Sequence, residues 1–402
     1  MIEADKSPLE GLTVLDIGHY ISGPYCTKLM AALGATVIKV EPPCGDAARR
    51  LGPFPNDIPH LEKSGQFQYL NTGKQGVTLN LKTEQGRDIL LRLAARADVV
   101  VENFEPRVLP SLGLDYERLH VANRRLVLTS ISNFGQSGPY RDYKADEIGI
   151  HAISGLMDIS GEPGRPPLKK GGNFAQYHGA VNALSATMTA LFLVEDAGGG
   201  RRVDVSLAES FSSMHGRVVK IFSFTGDVVR REGSHGRSYP AGIYRCADGY
   251  VAFTSPMGRE WWDDFVEMVG APELGDARFQ DPVVRANSAD ELDAYFLPWL
   301  SIHTKDEIYR MAHQHRMPAG PIATATDLFD SPQLLSRGFL RDVELVDGER
   351  MTLPGLPYHM AGVALPPVSR APGLGEHNEE VYGGMLGLSR KELGLLCRES
   401  VI

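Results

Sequence analysis

Cysteine is scarce: the 402 residues hold four, Cys26, Cys44, Cys246 and Cys397, with no CxxC pair and no histidines at zinc-ligand spacing. That scarcity argues against a disulfide framework and a zinc site, and the four read as ordinary reduced thiols. No apolar run reaches the ~20 residues of a membrane-spanning helix, and the opening MIEADKSPLEGL has neither the basic start nor the apolar stretch of a secretory signal. The expected location is the cytoplasm. Positive charge is in deficit, with 41 Lys and Arg against 50 Asp and Glu and a formal net charge of -9. This balance argues against nucleic acid or an anionic membrane as partner and leaves small molecules and proteins. The dinucleotide fingerprint GxGxxG is also missing after the first strand-like run, where Gly18-His19-Tyr20-Ile21-Ser22-Gly23 stands instead. A nicotinamide or flavin role loses its main support.

What is present is a regular alternation. LTVLDIG, ATVIKVE, GVTLNL, DVVVENF and LVLTSISNF are short apolar runs rich in β-branched residues, and helical periods such as EQGRDILLRLAARA separate them. Strands alternating with helices predict parallel βαβ units, so the fold class is α/β with a Rossmann-like large domain over residues 1–225. From 226 the composition turns rich in Gly, Arg, Ser and His. GIYRCADGYVAFTS then reads as a hairpin about Ala247-Asp248-Gly249. The expectation is a smaller α+β domain over 226–325 and a C-terminal segment, 326–402, that returns to the large domain. The loop GSHGRSYPAG, with His235 and Arg237, is either a mobile glycine-rich turn or an arginine site for a dicarboxylate.

Several motifs in fixed order carry a resemblance over most of the chain: PLEGLTVLDIGHYISGPYCTKLMAALGATVIKVEPP, LNTGKQGVTLNLKTEQGRDILLRLAARADVVVENFEPRVLPSLGL, ISNFGQSGPYRDY, GRRVDVSLAES and YRCADGY. The sequence resembles the class III CoA-transferases, which include formyl-CoA and carnitine CoA-transferases and the α-methylacyl-CoA racemases. The resemblance implies an interlocked dimer and a site for coenzyme A or acyl-CoA as substrate, with no metal. It implies that His19, Ile21 and Ser22 approach CoA, with Asn71, Lys74, Asn103, Phe104 and Arg107 nearby. Lys74 would meet phosphate as a point charge, and Asn103-Phe104 ends an apolar strand at the ligand edge of the sheet. Pro42 and Ser111 stand where CoA-binding relatives often carry arginine.

The main departure is in the stretch GNFAQYHGAVNALSATMTALFLVEDAGGG, which reads as a loop through Gln176, a long apolar helix from about Tyr177 and a glycine stop. Family transferases use an aspartate before such a helix. Its carboxylate attacks the acyl-CoA thioester to give a mixed anhydride, and the released CoA thiolate then forms an enzyme-bound thioester. Gapless alignment puts Gln176 there, and a neutral amide cannot form the anhydride. No residue of this chain is therefore assigned as the nucleophile. A racemase is disfavoured too, since its histidine position offers Asp146 and its aspartate position is again Gln176. Asp146 and Glu147 read as acids opening a helix, and His178 as a cap or packing residue. The expected function is a non-nucleophilic subunit of a heteromeric transferase, moving CoA between an acyl-CoA such as succinyl-CoA and a carboxylic acid such as benzylsuccinate. A homologous partner chain would supply the aspartate. The alternatives are a CoA-binding pseudoenzyme without turnover and a homomeric transferase with Asp146 or Glu147 as an unusual nucleophile.

Overall fold

The β-branched runs of the first half form strands β1 (Thr13–Asp16), β2 (Thr36–Glu41), β3 (Gln75–Thr78), β4 (Val99–Glu102), β5 (Val127–Ser132) and β6 (Arg201–Ser206). Every pairing among them is parallel and the spatial order is β3-β2-β1-β4-β5-β6. Burial on both faces explains why these runs are apolar without alternation: β4 and β5 are buried at every position. Between and after them lie helices α1 (Ser22–Ala32), α2 (Gly65–Leu70), α3 (Glu84–Ala94), α4 (Val108–Ser111), α5 (Tyr116–Ala122), α6 (Glu147–Ile153), α7 (Phe174–Ala197) and α8 (Leu207–Ser212). Capping side chains set several starts: Thr83 accepts from Gly86 N ahead of α3, Asp115 from Arg118 N ahead of α5 and Asp146 from Gly149 N ahead of α6.

The computed structural model describes residues 6–233, 238–257, 260–346 and 348–402. His235 and Arg237 lie outside the described residues. The chain divides into two units, the first comprising 1–154, 170–216 and 334–402 and the second 155–169 and 217–333.

In the first unit the C-terminal segment covers the β3 edge of the sheet. Val381 and Tyr382 join the core cluster of Leu15, Ile38 and Val77, and the Tyr382 hydroxyl donates to Thr78 O at 2.8 Å. The antiparallel pair β10 (Leu340–Glu344) and β11 (Arg350–Pro354) belongs to this unit as well. The second unit holds the expected hairpin, β7 (Gly242–Cys246) and β8 (Gly249–Phe253), with β9 (Ala319–Pro321) beside β8. Its core is aromatic, with Tyr244, Trp262, Phe265 and Phe296 buried together. Among the described residues no helix is long and apolar enough to cross a membrane.

Candidate active site

The chain passes through β2 and β3 between β1 and β4, yet β1 and β4 are neighbours in the sheet. Their carboxyl ends therefore mark the topological switch point, where open α/β sheets bind ligands. Asn103 ties the two ends together. Its amide oxygen accepts from His19 N at 2.7 Å, and its amide nitrogen donates to His19 O at 2.8 Å and Ser22 Oγ at 3.0 Å. Gly18 is required by this closeness, since a Cβ there would lie 2.9 Å from Asn103 Oδ1 and 3.2 Å from Gly23 Cα.

Beneath this loop lies a closed network of buried charges. Asp16 accepts from Lys74 Nζ and Thr27 Oγ1, each at 2.8 Å, and from Gly18 N at 3.0 Å. Lys39 donates to Asp46 Oδ2 at 3.0 Å and to the Gly18 carbonyl. Burial opposes ionisation of Asp16, but the ammonium groups of Lys39 and Lys74 prevail and hold its carboxyl below the usual range. For Lys74, burial wins over the attraction of Asp16 and pushes the ammonium down to about 8.

The sequence-predicted residues fall into three groups. Ile21, Ser22, Asn103, Phe104, Arg107 and Gln176 line one cavity of about 890 Å³, a volume suited to a small-molecule site. His19 lies against Asp46 at 3.5 Å, and its ring is 5.2 Å from that of Phe104. It faces a smaller cavity of about 350 Å³ that Phe104, Pro42 and Ser111 also border. Asn71 and Lys74 line neither cavity. Lys74 donates to Asp16, Pro24 O and Asn71 Oδ1, all within 2.9 Å, so its donors are engaged inside the chain rather than presented to a phosphate. Arg107 is exposed and holds Asp142 through two contacts, at 2.8 and 2.6 Å.

At Gln176 the structure departs from the expected boundary. Helix α7 starts at Phe174, so Gln176 stands inside its first turn, and the helix ends at Gly198 with φ 65°. No side chain of α7 or its N-cap residue caps the start, and no acid occurs in the first turn. The cap comes from Glu147, whose carboxylate accepts from Ala175 N at 2.8 Å and Gln176 N at 3.3 Å. A carboxylate at a helix N-terminus satisfies orphan donors and complements the dipole, which lets the helix extend three residues further back. His151, buried one turn along α6, places Nε2 3.1 Å from Glu147 Oε1 and packs its ring 4.4 Å from Phe211. Asp146 caps α6 itself, whereas Glu147 was expected to serve that same helix and instead serves α7. His178 packs near Phe211 at 6.4 Å. Glu147 and Gln176 border the same cavity, so a carboxylate and an amide stand together at its wall. An amide there can hold a thioester or carboxylate oxygen by hydrogen bonding; a carboxylate can also attack one.

Sequence reasoning missed the reach of Glu147 and the network of Asp16, Lys39 and Asp46. Asp16 had a visible signal, a charge closing the apolar run LTVLD. Glu147 had none, because its partner lies 29 residues away. Among the described residues no group of three or more His, Cys, Asp or Glu could hold a metal ion.

The model of CoA-transferase family III matches residues 9–378. The chain is 33% identical over 414 aligned positions to formyl-CoA:oxalate CoA-transferase of Streptomyces avermitilis, covering 98% of this chain and 99% of that one. It is 32% identical over 371 positions to succinyl-CoA:(R)-benzylsuccinate CoA-transferase subunit BbsE of Thauera aromatica, covering 89% and 90%. Among solved structures, a CAIB/BAIF family protein from Brucella suis superimposes with a TM-score of 0.86 at 30% identity, covering 95% of this chain and all of that one. A match across nearly the whole length, with the switch-point crevice intact in the structure, leads to one conclusion: the chain belongs to CoA-transferase family III.

Proposed function

We propose that this chain is a subunit of a heteromeric CoA-transferase that moves CoA between an acyl-CoA and a carboxylic acid, and that a homologous chain supplies the nucleophilic aspartate. The observation that carries the reading is Gln176. It stands in the first turn of α7, on the wall of the cavity, at the position that the family resemblance and a gapless alignment assign to that aspartate. An amide has no charged oxygen to form an anhydride. The relative from Thauera is itself named as a subunit, with succinyl-CoA and benzylsuccinate in its name, so these are the substrates proposed first. In this reading Ile21, Ser22, Asn103 and Phe104 receive the thioester end of CoA, and His19 and Arg107 flank it. Asn71 and Lys74 build the floor that holds the loop, and the two subunits interlock.

The test is reconstitution with the homologous chain, exposure to succinyl-CoA and trapping with hydroxylamine. Mass spectrometry should find the modification on the partner's aspartate and none on this chain. Gln176→Asp should confer weak activity on this chain alone, because the helix N-terminus stabilises a carboxylate there.

A second reading rests on Glu147, whose carboxylate lies in the same cavity on the N–H groups of Ala175 and Gln176. With Glu147 as nucleophile the chain would be a homomeric transferase. Hydroxylamine trapping on the chain by itself, with the adduct on the Glu147 peptide, would establish that reading and end the first. CoA binding with no adduct on either chain would leave a pseudoenzyme.

A further inference from the structure

Buried lysines elsewhere in the first unit have their counter-charges close by, as Lys39 has Asp46 and Lys74 has Asp16. Lys28 differs. It lies on α1 at 8% exposure. Among the described residues its ammonium meets no hydrogen-bond acceptor and no carboxylate, only rings: Nζ is 3.5 Å from the centroid of Tyr69 and 5.6 Å from that of Tyr25. A ring face offsets part of the desolvation of an ammonium, and lysine is almost never this buried without a charged partner. Burial, reinforced by the like charge of Lys74, pushes Lys28 down to about 7.

Lys28 opens on a cleft of about 690 Å³ within the first unit, apart from the cavity at α7. Arg341 and His359 add positive or protonatable groups to the lining, and Leu340, Leu353 and Leu365 give it apolar walls. Among the described residues the only acid in the lining is Asp342, which accepts from Thr352 Oγ1 at 2.7 Å. One deep cation, a rim arginine and hydrocarbon walls form the pattern of a small-molecule pocket with few, placed polar groups. The acid disfavours a dianion such as phosphate, and the buried cation disfavours a neutral ligand.

We propose that this cleft is a second binding site, for a small monocarboxylic acid with an apolar body, whose carboxylate pairs with Lys28 while its hydrocarbon lies against Leu340, Leu353 and Leu365. The assignment is independent of the role of Gln176. Arginine at the rim steers and holds the same carboxylate.

Benzoate is the probe and benzamide, its neutral counterpart, the control. In the full-length chain, reductive methylation with formaldehyde should modify Lys28 ahead of the surface lysines at neutral pH. Benzoate should slow that modification at least tenfold and benzamide should not. Calorimetry should show benzoate binding weakened tenfold or more in Lys28→Met, restored in Lys28→Arg, and weakened about threefold to tenfold in Arg341→Gln. If Lys28→Met does not fold, the protection experiment and Arg341→Gln decide the matter on proteins that do. Equal protection by benzamide, no protection by benzoate, or unchanged benzoate binding in Lys28→Met would overturn the proposal. So would shielding of Lys28 by the homologous chain in the absence of benzoate, since the cleft would then be an interface.

Discussion

The floor beneath loop 18–22 and the Lys28 cleft both bury lysine in the same unit, and they treat it in opposite ways. Lys74 finds Asp16 at 2.8 Å and two further oxygens, whereas Lys28 finds the face of Tyr69. The mouth of α7 belongs with the floor, because its positive end receives the carboxylate of Glu147 from another helix. The difference separates structural charge from ligand-binding charge. A buried ion whose partner lies in the chain holds a loop in place, while one whose partner is missing leaves free energy for an incoming group of opposite sign.

Removing a partner from the floor should have the largest effect. Asp16→Ala leaves Lys39 and Lys74 buried and short of counter-charge, and the loss should be about 3–5 kcal/mol in urea unfolding. Lys28→Met should leave the fold as stable or more stable, since an unpaired buried cation opposes folding. A loss in Lys28→Met as large as that in Asp16→Ala would erase the contrast.

Glu102 sharpens it with the opposite sign of charge. Burial pushes its carboxyl up to about 7, against the hydrogen bonds from Ser130 and from Phe104 N. A carboxyl whose folded value lies above its unfolded one contributes stability that is full below about pH 4.5 and is lost as pH rises through 7. Glu102→Gln should remove that dependence, narrowing the stability difference between pH 4 and pH 8 by on the order of 3 kcal/mol. Guanidinium unfolding at the two pH values measures it, and an unchanged slope would count against a buried, uncompensated acid.

A smaller effect belongs to the helix mouth. Glu147→Gln keeps the shape and weakens two bonds to backbone N–H groups, and the expected cost is about 1–2 kcal/mol by thermal unfolding. Amide exchange at Ala175 and Gln176 should rise, which separates loss of the cap from general loosening. The smallest effect is at the surface: Arg107→Ala should leave the melting temperature unchanged within error, because the pair with Asp142 is exposed. Its consequence should be confined to CoA affinity, weakened by about threefold to tenfold in a titration with acetyl-CoA.

The layers of the first unit were legible in the chain because each strand and helix carries its own period and its own cap. LTVLDIG and DVVVENF read as buried parallel strands, and Asn103 and Phe104 were expected at the carboxyl edge of the sheet, where the structure places them at the end of β4. The start of α7 was misjudged by three residues for a physical reason. The residues before Tyr177 have no local cap, and the group that caps them is Glu147, a contact no periodicity encodes.

The sequence alone determined the parallel sheet, the helix stop at Gly198, the hairpin of the second unit and the presence of an amide rather than a carboxylate at position 176. Each depends on residue type and short-range spacing, which the chain carries in order. Tertiary structure decided where the charges went: Lys74 into the floor, Lys28 against a ring, Glu147 across to another helix. A buried charge takes whichever partner the packing brings within about 3–4 Å, and that partner can lie anywhere along the chain.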